Sequence, residues 1–114
     1  MSGRGGWDQK GFWSKVFYGL KEQPTEEGDL VGYFECNANH TVDFLRPTED
    51  EAWADAERDL DRQHRIATMH MDSVPFLSKN PKYMPEAIAE IKRQAEENLR
   101  IAEIGLEFCE ARKK

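Results

Sequence analysis

Two long stretches of this chain repeat apolar residues at three- and four-residue spacing, and a proline-rich break separates them. Trp53, Ala56, Leu60, Ala67, Met71 and Val74 form the first set; Ile88, Ile91, Ala95, Leu99, Ala102, Leu106 and Cys109 form the second. At about 100° per residue each set falls within one narrow stripe, so each stretch is expected to be an amphipathic helix with a face to bury. Thr48 and Glu51 have the Ser/Thr-x-x-Glu spacing of a capping box, and Glu49 and Asp50 sit where a helix dipole favours negative charge. The first helix is therefore predicted to begin at Thr48 and to stop near Val74, because Pro75 follows.

Residues 75–85 contain Pro75, Pro81 and Pro85 and read as a connector. Pro85 suits the first position of the next helix, which can run to about Arg112. Helices of similar length joined this way fold back as an antiparallel hairpin, roughly 40 Å long at 1.5 Å per residue. Small residues in both stripes (Ala56, Ala67, Ala95, Ala102) permit close approach.

The front of the chain has other patterns. Residues 1–6 are Gly-rich and expected to be flexible, and Gly3-Arg4-Gly5-Gly6 lacks the Gly-Lys-Ser/Thr ending of a phosphate loop. Residues 12–21 place Trp13, Val16, Phe17 and Leu20 at helical spacing and are expected to form a short helix. Their aromatic and β-branched content leaves a short strand as the alternative. Residues 29–36 and 41–45 read as two strands around the turn-like Asn37-Ala38-Asn39-His40, a β-hairpin that must lie against a helix or further strands. The expected fold class is α+β, mainly helical: short N-terminal helix, β-hairpin, then a helical hairpin over 48–112, in one domain of 114 residues.

Charge and cysteine usage narrow the function classes. Residues 25–61 carry twelve Asp/Glu against Arg46 and Arg58, a local balance of −10 within a net −6, so direct nucleic-acid binding is not expected. No apolar run approaches the ~20 residues of a membrane span, so the membrane is not an expected partner either. The opening residues lack the apolar core of an export signal, and Asn39-His40-Thr41 is read as a chance sequon. Cys36 and Cys109 are expected to be reduced thiols in a cytoplasmic protein.

Three kinds of site were weighed on the residues. Asp61 and His64 have the i, i+3 carboxylate–histidine spacing of helical di-iron sites, but the second helix has no histidine to complete one. No cofactor is expected, and no Gly-x-Ser-x-Gly elbow marks a nucleophile, so no catalytic residue is assigned. Glu51, Asp55, Glu57, Asp59 and Asp61 form an acidic surface, read as a solvated face threaded by Arg58, Arg62 and Arg65. Its functional alternative is an acidic inhibitor that occupies a basic nucleic-acid-binding surface of a partner.

Partner contact is the third kind. Ile101, Ile104 and Phe108 project roughly opposite the main stripe of the last helix, so its end is apolar on two sides. The second side needs either an intramolecular cover or a dimer interface. Phe76, Leu77, Tyr83 and Met84 in the connector are further contact candidates, the alternative being that Phe76 and Leu77 cap the hairpin core. The leading expectation is a non-catalytic interaction protein (small adaptor, assembly subunit or inhibitor) that self-associates as a homodimer, ahead of the nucleic-acid mimic and of a helical metalloprotein.

Overall fold

A computed structural model describes residues 9–36 and 45–114. The chain runs through strand β1 (Gln9–Ser14), a 3-10 turn (Lys15–Tyr18), a second 3-10 turn (Glu27–Asp29), strand β2 (Val31–Cys36) and two long helices, α1 (Glu49–Ser78) and α2 (Pro85–Arg112). The fold is α+β and mainly helical, a two-stranded antiparallel sheet followed by two helices packed on each other.

The helices start where the sequence signals them. The Thr48 hydroxyl oxygen accepts from the Glu51 amide at 3.3 Å, and the Thr48 hydroxyl donates to the Glu51 carboxylate at 3.1 Å. Glu51 thus locks the capping side chain rather than the capping amide. Pro85 occupies the first turn of α2. The stop is different: Pro75 lies inside α1, which continues to Ser78, so the connector is 79–84 and not 75–85. Pro75 forfeits the ladder bond its missing N–H would give the Met71 carbonyl and crowds that carbonyl with its ring, although its φ is already helical. Around the break the Ser73 hydroxyl donates to the His70 carbonyl (2.7 Å) and the Ser78 hydroxyl to the Val74 carbonyl (2.9 Å).

The hairpin is antiparallel. Arg112 at the end of α2 reaches Asp50 at the start of α1 (2.8 Å), and Lys113 reaches Glu57 (2.5 Å). These pairs bring the positive end of one helix sequence to the negative start of the other, as both helix dipoles favour. Arg112 also lies over the Trp53 ring, 5.1 Å from its centroid, while the indole N–H donates to Glu49 at 3.2 Å. Deeper in, a Cβ on Gly105 would stand 2.7 Å from Leu60 Cδ2, so the absent side chain is what lets the helices close here.

The front segment departs from the helix expected over 12–21. Residues up to Ser14 are strand, and only Lys15–Tyr18 turn, as a single 3-10 turn that Gly19 ends at φ 83°. Val16 is buried and Leu20 half-buried, so two of the four apolar positions do enter the core. Tertiary pairing decided the conformation: β1 pairs with β2 in a register that sets Phe12 opposite Tyr33, with their rings edge to face at 5.3 Å. β2 matches most of the strand expected over 29–36. Of the strand expected over 41–45, residues 41–44 and the 37–40 turn lie outside the described residues.

The other edge of β1 meets the chain again just before α1. The Phe12 amide donates to the Arg46 carbonyl (2.8 Å) and the Arg46 amide donates to the Phe12 carbonyl (2.7 Å). This bridge passes beside Gly11, where a Cβ would stand 2.4 Å from the Arg46 carbonyl oxygen. Sheet and 3-10 turn then cover one end of the helical hairpin. Val16, Leu30, Val31, Ala52, Trp53, Ala56, Leu60 and Cys109 form the core there, with Phe12, Leu20, Leu106 and Phe108 packed against it. The molecule measures 66 × 35 × 18 Å, and the far part of the hairpin projects from this base as a two-helix arm.

Candidate interaction surface

The acidic segment was read as a solvated face, and the structure corrects this at two positions. Asp55 and Asp59 are 9% and 6% exposed, and Asp55 meets the edge of the sheet through Arg46. The Asp55 carboxylate accepts from Arg46 Nε at 2.6 Å and also pairs with Arg58. It therefore clamps the residue that bridges β1, joining the edge of the sheet to α1 through a charge-assisted bond. Among the described residues Asp59 pairs with Arg62 alone, at 3.4 Å, and burial raises its carboxyl above the ordinary carboxylate range despite Arg62 and Arg58.

Several of the other acids meet cations. Asp61 meets Arg65 (3.5 Å), Glu57 meets Lys113, and Glu49 and Asp50 share Arg112. Glu51 is exposed and engaged with Thr48.

Asp61 and His64 do not share a partner. His64 stands 3.9 Å from Glu103 on α2, whereas Asp61 turns to Arg65. Among the described residues no group of three or more His, Cys, Asp or Glu stands together as a metal-binding set. Cys109 is a buried free thiol, and burial, with the Glu57 charge adding, pushes it up to about 11. At neutral pH it is a protonated core residue rather than a nucleophile.

The contact candidates divide in two. Ile101 is 3% exposed in the single chain and is core, and Phe108 packs half-buried on the base cluster. The second apolar side of the last turns is thus covered from within at these two residues, which removes Ile101 from the contact set; Ile104 is half-buried. The connector residues are open. Phe76 is 75% exposed and Met84 65%, Tyr83 is exposed, and only Leu77 is half-buried. Phe76 therefore does not cap the hairpin core.

Sequence reasoning missed the arm itself. From Thr68 to Gln94, all described, no residue is buried, although the stretch includes Met69, Met71, Val74, Leu77, Ile88 and Ile91. A groove runs between the two helices, lined by His70, Ser73, Leu77, Glu90, Ile91, Gln94 and Asn98, and it continues past Ile66 to Leu20 at the edge of the base. Met69 is 67% exposed on the same arm. The available signal was that Ile66 and Met69 fall outside the main stripe of α1, leaving apolar side chains that the α1–α2 contact cannot cover.

No protein-family model, no curated protein and no solved structure matches this chain. Among the described residues no helix is long and apolar enough to cross a membrane.

Proposed function

We propose that this is a non-catalytic interaction protein, an adaptor, assembly subunit or inhibitor of the cytoplasm, that acts through its projecting arm and pairs there with a second copy. The observation that carries the reading is the run from Thr68 to Gln94 without a buried residue. Two helices alone cannot enclose their apolar faces, and the stable solutions add another layer, most simply a second pair of helices in a four-helix bundle.

A second copy suits the chemistry of the groove. Each chain carries a net −6, which opposes self-association in general. The groove is nearly free of that charge: Leu77 and Ile91 are flanked by His70, Ser73, Gln94 and Asn98, and Glu90 is engaged by Arg93 at 2.5 Å. Two such faces can meet without placing like charges together. The groove from Gln63 to Leu77 covers about 20 Å of helix and two helix widths, about 400 Å² per copy, near half of a standard interface. The pairing is therefore expected to be reversible and concentration-dependent.

Native mass spectrometry across a dilution series tests this. The expected result is a dimer that dissociates on dilution and is lost in Ile66→Glu, a half-exposed position at the groove whose substitution leaves the helical circular dichroism unchanged. A chain that stays monomeric at every concentration would refute the pairing.

A further inference from the structure

The tip of the arm differs in chemistry from the groove. Residues 73–85 hold two lysines and no Asp or Glu, with Asp72 and Glu86 flanking them. Lys79 and Lys82 are exposed and form no ion pair among the described residues, whereas Arg58, Arg62 and Arg65 further along α1 each meet a carboxylate. Around these free cations stand the exposed side chains of Phe76, Tyr83 and Met84. We propose that this tip is a peripheral contact for an anionic lipid bilayer, with Phe76, Tyr83 and Met84 entering the interfacial region and Lys79 and Lys82 on the headgroup charge.

Footprint, composition and geometry favour a lipid surface as the occupant. The footprint is small. The end of a two-helix hairpin offers about two helix cross-sections, roughly 200 Å², against about 800 Å² per partner for a standard protein interface. A bilayer needs no shape-matched area of that size, only apolar side chains of the right depth and cations beside them. Tyr is favoured at the membrane–water boundary because its body is apolar and its tip wet, Phe and Met supply the buried part, and lysine stems can lie along the apolar surface with the ammonium in water.

A net charge of −6 would repel the chain from an anionic surface if that charge were near it. The acid-rich start of α1 ends at Asp61, fifteen residues before Phe76, which is about 22 Å of helix. That exceeds two Debye lengths at physiological salt, so the acidic base is screened; Asp72 and Glu86 lie closer and balance Lys79 and Lys82 over residues 72–86, while the connector itself, residues 79–84, carries the two lysines and no acid. A surface contact requires no membrane-spanning helix. Nor does it depend on the pairing of arms, which is read out separately by chain count.

The test is co-sedimentation of the full chain with vesicles of phosphatidylcholine containing about one-third phosphatidylserine, and with vesicles of phosphatidylcholine alone. The expected result is binding to the anionic vesicles only, weakened by added salt. At about 1 kcal/mol per lysine near such a surface, Lys79→Ala with Lys82→Ala should lower the partition coefficient roughly 25-fold. Phe76→Ser with Met84→Ser should abolish sedimentation with helicity retained. Failure to bind anionic vesicles, equal binding to both kinds, or binding that survives both double variants would overturn the proposal. Tip-dependent capture of an acidic protein without vesicle binding would overturn it in favour of a protein partner.

Discussion

Asp55 and Asp59 lie one turn apart on α1 and both are buried, yet their partners differ. Asp55 has two arginines, and the Arg46 bond makes it the tie between β1 and α1. Asp59 is held above the ordinary carboxylate range, first by burial, with the neighbouring Asp55 charge acting in the same direction. A carboxyl raised in the folded state binds its proton more tightly there than in the unfolded chain, so stability falls as pH rises from the unfolded value through the folded one. The penalty is complete above the folded value and absent below the unfolded one. Asp59→Asn is therefore expected to be more stable than the parent at pH 7, with the difference closing in acid; urea midpoints at the two pH values check this, and a variant less stable at pH 7 would contradict it. None of this was legible in the sequence. The acids at 49–61 look alike on paper, and only the folded chain distinguishes the buried ones from those in water.

The elements were read well where the signal is local and poorly where it is not. Thr48, Glu51 and Pro85 satisfy backbone groups within a turn of themselves, so both helix starts could be placed from the sequence. Gln9–Ser14 became a strand because partners on both edges, β2 and Arg46, lie far along the chain, and the helical spacing of Trp13, Val16, Phe17 and Leu20 carries no trace of them. Proline opposes the helix locally and so predicts a stop at Pro75, yet α1 continues through it to Ser78, with Met71, Val74 and Leu77 half-buried on the flanking turns. That continuation has a cost. Pro75→Ala restores the missing N–H and removes the ring, and it should stabilise the chain by about 1–3 kcal/mol, less than the full interior penalty because only three residues of α1 follow. Equilibrium denaturation measures it; a loss of stability would contradict this.

At the scale of the molecule, the chain divides its chemistry by distance from the base. Large side chains and the sheet enclose the core at one end, a nearly uncharged groove runs along the middle, and free lysines with exposed aromatics occupy the tip. Sequence periodicity announced the helical hairpin but not this gradient, because Leu60 and Leu77 read as equivalent apolar residues until the extent of the covering layer is known. Leu60 is wholly buried and Leu77 is not.

A core confined to one end of a long rod also implies that the rod does not melt as a unit. Backbone amides around Leu60 and Ala102 should open only with global unfolding, while those near Val74 and Ile88 open through fraying from the tip, a local event needing far less free energy. Hydrogen–deuterium exchange should therefore show protection falling steadily from residues 52–60 to residues 70–78, and from 109 back to 88. Uniform protection in dilute solution would refute this picture. The same gradient makes the arm its own reporter: whatever engages it, whether a second chain or a lipid surface, should slow exchange in the arm before it changes anything in the base.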